Sequence, residues 1–162
     1  MYTIDDFECY FNNAVPFRGN GIATFYKNQF SLKRFFTNSK FQIVQLTSEL
    51  FDVFNIYYKN ENEKDFLLTL QNILSDSKLS IICGDFNVDY LHNKTNSVIE
   101  WLEKKSFVQM VDFSTQIQGG LIDHCWVPKE LVSKAKIYRS SVVFSDHDLL
   151  HLSITLEENM DL

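Results

Sequence analysis

An apolar run that breaks at a glycine, IICGDFNVDY from Ile81 to Tyr90, constrains this chain more than any other stretch. Isoleucine-rich sequence bounded by glycine reads as a short buried strand. Residues just past its end stand at the mouth of a sheet, where function concentrates. Two polar groups follow, Asp85 and Asn87. The first can take a proton or hold a cation, whereas the second stays neutral and both donates and accepts. Two later strings, LIDHCW (Leu121 to Trp126) and FSDHDLL (Phe144 to Leu150), follow apolar stretches in the same manner.

The surrounding pattern is rich in strands. Gly21 to Lys27 follows the turn-prone RGN and predicts a strand, and Phe41 to Thr47 alternates apolar and polar residues as a half-buried strand does. Phe51 to Tyr58 does likewise, and the short SEL between them suits a hairpin. Glu61 to Ser75 turns helical, with Phe66, Leu67, Leu70, Ile73 and Leu74 on one face. Leu79 to Gly84 is the strand that delivers Asp85. A helix is predicted over Asn96 to Lys105, and strands over Phe107 to Val111 and Leu121 to Val127, the latter stopped by Pro128. Ala135 to Phe144 and Leu149 to Leu156 read as a last hairpin with Ser-Asp-His at its bend, and residues 157–162 as a frayed tail. Strands outnumber helices and are interrupted by them irregularly. That favours an α/β (α+β) sandwich over a barrel or bundle.

At 162 residues the length prior gives a single domain over 1–162, and 45% hydrophobic residues with fifteen Phe supply a core. No stretch approaches the roughly 20 apolar residues of a membrane span, so no membrane association is expected. The acidic opening MYTIDDFECY lacks a basic secretory n-region. Cys9, Cys83 and Cys125 have no metal-like spacing; Cys83 and Cys125 sit among apolar residues and read as small buried hydrophobes, with a disulfide or a thiol nucleophile as the alternatives, and a reducing, intracellular (nuclear or cytoplasmic) setting follows. A net charge of −6 argues against a broad basic surface for nucleic acid. It does not exclude a nuclease, whose carboxylates gather around a metal.

Hydrolysis of a phosphoester needs a deprotonated water, a cation to offset developing charge, and donors aimed at phosphoryl oxygens. Asp85, Asp123 and Asp146 with Asn87 and His147 meet that list. Mg²⁺, with Mn²⁺ as the alternative, suits them, because it takes hard oxygen ligands and needs only one or two protein carboxylates. His124 adjoins Asp123, so on a strand it faces the other side of the sheet and reads as structural. His92 and His151 have no motif support, and Asp89 and Asp148 lie beside site residues.

The order GDFN, then IDH, then SDH resembles the C-terminal two-thirds of the endonuclease/exonuclease/phosphatase superfamily, whose fold is DNase I-like. The mobile-element branch matches best, through Asp89 and Leu91, the Phe107-x-Gln109-x-Val111 segment, Thr115 and the Leu-Ile-Asp-His strand. The similarity, to endonuclease modules of non-LTR retrotransposons and Helitron-type transposons, runs over about residues 19–156. It implies two packed β-sheets flanked by helices, with the site at one edge. It also implies roles: Asp85 orients and deprotonates the attacking water, Asn87 holds that water or a phosphoryl oxygen, and Asp146 belongs to the metal site. His147 contacts the scissile phosphate and Asp123 hydrogen-bonds His147. Tyr57 and Asn60 resemble the family's Tyr-x-x-Asn segment and are expected to contact phosphate, although Lys59 replaces the usual proline.

Complete members carry an Asn motif and a metal-binding Glu upstream of the matching region. Glu8 lacks their context and is not assigned to either, so the expectation is an N-terminally truncated sandwich with exposed sheet edges. A fragment of a longer element protein, a decayed copy, and a chain completed in trans are the explanations that compete. The function expected is that of a metal-dependent, mobile-element-like DNA endonuclease, as part of a polyprotein with a reverse transcriptase or helicase. The rivals are a phosphatase acting on inositol phosphates or small phosphoesters, and a non-catalytic binding module. Oligomeric state is not legible.

Overall fold

In a computed structural model of the chain, the structure describes residues 6–13, 21–75, 79–93 and 95–155, and the side chains of 12 and 13 are left aside. The expected frayed tail lies outside the described residues. The chain forms two compact units, residues 1–87 and 88–162.

The first unit contains β1 (Glu8–Asn13), β2 (Gly21–Tyr26), β3 (Ser31–Thr37), β4 (Phe41–Thr47), β5 (Phe51–Tyr58), α1 (Glu63–Ser75) and β6 (Leu79–Asp85). Strands β3, β4, β5 and β6 are hydrogen-bonded in that order, antiparallel except that β6 runs parallel to β5. A parallel neighbour needs a long crossover, which α1 provides. Strand β4 is buried at Phe41 through Leu46, so both of its faces are covered. On one face Phe66 of α1 lies against Phe41 and stacks on Tyr58, at 5.3 and 4.2 Å between ring centroids. On the other, Val44 and Leu46 cluster with Ile22 and Tyr26 of β2, joined by Tyr10, Phe30, Val53 and Tyr57. Asn55 adds a 2.9 Å hydrogen bond to Thr24 Oγ1 across that layer.

Strands β1 and β3 were not anticipated. Their sequences, ECYFNN and SLKRFFT, break the apolar alternation with charges and asparagines. β3 is an edge strand whose register shifts between Leu32 and Arg34, and edges tolerate charge and bulges that a central strand does not. Its Lys33 serves the interior. The ammonium lies 3.1 Å from buried Asp52, which also accepts from Gln45 Nε2 at 2.7 Å. Burial works to raise the Asp52 carboxyl, but hydrogen bonds from Thr47, Lys33 and Gln45 and the Lys33 charge outweigh it and hold it below its usual value.

The second unit contains α2 (Ser97–Lys104), β7 (Phe107–Gln109), β8 (Asp123–Pro128), a 3₁₀ turn (Lys129–Lys134), β9 (Ala135–Ser140) and β10 (Leu149–Ile154). Asn96 caps α2 by accepting the Val98 N–H at 3.0 Å, and the helix buries Val98, Ile99 and Leu102. Antiparallel β7–β8 and β9–β10 pairs complete the unit. Val111, Leu121 and Cys125 form a core patch on which Phe113, Ile137, Leu150 and Leu152 pack.

Several boundaries depart from expectation, among them the starts of β8, at Asp123 and not Leu121, and of α1, at Glu63 and not Glu61. Strand β7 ends at Gln109 rather than Val111, because the Gln109 side chain takes over the ladder and accepts the N–H groups of Cys125 at 2.8 Å and Val111 at 3.3 Å. Pro128 is the last residue of β8 and pairs with Phe107, at a ladder end where a missing N–H is tolerated. The last hairpin has a long connection, from Ser141 through Asp148, where the β-prone Val142-Val143-Phe144 finds no partner strand among the described residues.

Candidate active site

The end of β6 positions Asp85 and Asn87. Gly84 adopts φ +134, and a Cβ there would lie 1.9 Å from the Ile56 carbonyl oxygen of β5. Only glycine fits that approach. The chain then turns. Asp85 Oδ1 accepts the Asn87 N–H at 2.9 Å, and Asn87, at φ 49, donates its amide to the Tyr58 carbonyl at 2.8 Å. Phe86 between them is buried edge-on against Phe66, 6.1 Å between centroids. An apolar anchor between two polar residues directs those two away from the core.

Tyr57 is the register partner of Asp85 on β5. Burial raises its phenol pKa, with the Asp85 and Glu61 carboxylates adding to the effect, so it is a neutral donor. Asn60 is exposed in the turn after β5, at φ 57.

In the second unit, Asp123 opens β8 and His147 lies in the β9–β10 connection. The His147 Nδ1–H donates to Asp123 Oδ2 at 2.8 Å. A carboxylate only accepts, so this contact fixes the tautomer and leaves Nε2 as the other ring nitrogen. Thr115, fully buried, holds the pair in place: its Oγ1 accepts the N–H groups of Ile122 at 3.2 Å and Asp123 at 3.1 Å. Its carbonyl also accepts the Asp148 N–H, and Asp146 accepts the Ile117 N–H, each at 2.9 Å. The Thr115–Gly120 turn and the Asp146-His147 segment are thereby tied together. Thr115 was legible as a motif letter, but its role depends on contacts that no spacing reveals. The Asp146 carboxylate is exposed beside this segment.

Asp89 is a structural acid. It accepts the N–H groups of Leu91 and Leu121, and His92 Nδ1 lies 2.7 Å from its other oxygen. Burial acts to raise its pKa, while His92 and those two N–H groups prevail and lower it. The cysteines show no ligand geometry. Cys9 is exposed, Cys125 is buried, and loss of solvation pushes the Cys83 thiol up to about 11.

His124 is 1% exposed. Its Nε2–H donates to the Val88 carbonyl at 2.8 Å, and its Nδ1 accepts from Trp126 Nε1 at 3.3 Å. A second ring proton would face the indole N–H. Burial lowers its pKa to about 4, against the Val88 and Leu121 carbonyls and Asp89, which raise it. The unfolded chain therefore binds a proton below about pH 6.5 that the native state refuses until about pH 4. Stability is expected to fall by about 3 kcal/mol as pH drops through that window. Urea unfolding of the wild type and His124→Gln at pH 7 and pH 4.5 measures it. The variant should lose that part of the slope, and identical slopes refute the assignment.

Solved structures share the fold. The endonuclease domain of TRAS1, a telomere-specific non-LTR retrotransposon, superposes with a TM-score of 0.67 at 12% identity, over 93% of this chain and 79% of that one. A 3′-5′ exonuclease (NExo) from Neisseria meningitidis gives 0.65 at 12% identity, over 93% and 80%. The fold is thus of the DNase I-like α/β class. Residues 51–151 match the model of the endonuclease-reverse transcriptase family, and the chain belongs to that family. No curated protein matches it. Among the described residues no helix is long and apolar enough to cross a membrane.

Proposed function

We propose that the chain hydrolyses phosphodiester bonds of DNA with a divalent cation, as an intracellular endonuclease of mobile-element type. The observation that carries this reading is the Asp123–His147 hydrogen bond, anchored from below by Thr115. A buried threonine committed to two backbone donors beside an acid–imidazole pair is the support of a reacting group rather than of a surface turn.

In this reading Asp85 orients and deprotonates the attacking water. Asn87, its amide plane set by the bond to Tyr58, holds that water or a phosphoryl oxygen. The Asp123 carboxylate accepts from Nδ1 of His147 and so turns Nε2 toward a phosphoryl oxygen, where negative charge develops. Tyr57, held neutral, and Asn60 are proposed phosphate donors. Asp146 is the proposed metal ligand. Carboxylates at Asp85, Asp123 and Asp146 are hard oxygen donors, so the residues present fit Mg²⁺ or Mn²⁺ better than a thiophilic metal. The ion, when bound, would offset charge on the phosphate and lower the pKa of a water. Membership of the endonuclease-reverse transcriptase family supports a reverse transcriptase in the same polyprotein.

The deciding experiment is nicking of supercoiled plasmid in Mg²⁺, with and without EDTA, beside phosphate release from inositol phosphates. Open-circle product that disappears with EDTA, with no phosphate released, is expected. Phosphate release without nicking would make the chain a phosphatase and overturn the proposal.

A further inference from the structure

Val143 and Phe144 are 104% and 87% exposed, on the connection that runs directly into Asp146 and His147. Large apolar side chains wholly in water forgo the stabilisation that burial would give, so an exposed pair beside a site calls for a partner. The connection is not slack where it meets the site: the His147 N–H donates to Ser145 Oγ at 3.0 Å, and Asp146 holds the Ile117 N–H. Val142 and Ser145, which flank the exposed pair, line a cavity of about 230 Å³ with Ser114, Arg139 and His147.

Arg139 gives this wall its cationic group. It donates to the Ser114 carbonyl at 3.3 Å, lies 3.5 Å from Asp148, and has its guanidinium 5.4 Å from the centre of the Phe113 ring. In a chain of net charge −6, a braced cation in a cavity lined by Val142 and Ser145, the residues that flank Val143 and the exposed Phe144, matches a stacked base and its phosphate.

We propose that Phe144 is a stacking platform for an unpaired nucleobase of the strand being cut, with Val143 against its sugar and Arg139 on the neighbouring phosphate. The proposal rests on the nuclease reading above but is read out by binding, not cleavage. The full chain is titrated into a fluorescein-labelled single-stranded oligonucleotide and its duplex at low salt in Ca²⁺, with anisotropy as the signal. Phe144→Ala should weaken single-strand binding about tenfold, and duplex binding less. Phe144→Trp should restore it, and Phe144→Leu should not. The side chain touches no core, so melting temperatures should be unchanged.

Equal affinity of Phe144→Ala and wild type for the single strand overturns the proposal. So does rescue by leucine, or a loss confined to duplex, which would mark a groove wedge. A wild-type dimer that Phe144→Ala dissociates while single-strand binding holds would assign the patch to a second copy and overturn it too. Stacking intact with no plasmid nicking would sink the hydrolase reading alone; nicking with unchanged binding in Phe144→Ala would sink this inference alone.

Discussion

Asp85→Ala is expected to lower Mg²⁺-dependent nicking by about two to four orders of magnitude, the range a positioned general base contributes. Its structural cost is small. The carboxylate supports one turn by accepting the Asn87 N–H, and losing a partly buried hydrogen bond costs about 0.5–1.5 kcal/mol. The variant should therefore fold and melt within a few degrees of wild type. Asp85→Asn sharpens the test, since an amide oxygen keeps the turn but neither takes the proton nor carries the charge. Single-turnover nicking rates of the three proteins, with their melting curves, give the comparison. An Asp85→Asn protein that nicks at the wild-type rate would remove Asp85 from the chemistry and the proposed function with it.

Gly84→Ala should have the largest effect on stability, more than about 4 kcal/mol, as expected when a substitution violates both backbone conformation and space. At φ +134 an L side chain is disfavoured whatever surrounds it, and here the added carbon would lie 1.9 Å from the Ile56 carbonyl oxygen. Backbone of a paired central strand cannot yield as a flexible side chain does. Relief requires β6 to part from β5, which would unseat Asp85 and loosen the Asn87 bond to Tyr58. Gly119→Ala is the matched control, because at φ +94 it strains the backbone but meets nothing within 4 Å. It should cost only about 1–2 kcal/mol. Midpoints of urea unfolding for both variants give the two numbers, and equal losses would refute the steric account.

Strands β4 and β5 and both helices were legible because their apolar residues recur at the periods of strand and helix, and β6 because its apolar run breaks at Gly84. Strands β1 and β3 were not, because ECYFNN and SLKRFFT owe their pairing to neighbouring strands rather than to their own pattern. The opposite holds at Val142 to Phe144, where local β-propensity argued for a strand that no partner among the described residues completes. A stretch whose local preference is overruled at the rim of a site is where function is expected to hold the chain against its propensity.

The candidate site divides the same way. Its chemical identities are one-dimensional: Asp85, Asn87, Asp123, Asp146 and His147 are readable because few residue types can move a proton or hold a hard cation. The interrupted strand at Gly84 was equally plain. Folding alone decided which imidazole would be which. Adjacent on one strand, Asp123 and His124 went to opposite fates: the carboxylate pairs with His147, and the imidazole is sealed between the Val88 carbonyl and Trp126. It also gave Thr115 and Arg139 their tasks, since a hydroxyl or a guanidinium has no use until distant backbone is brought within 3.5 Å of it.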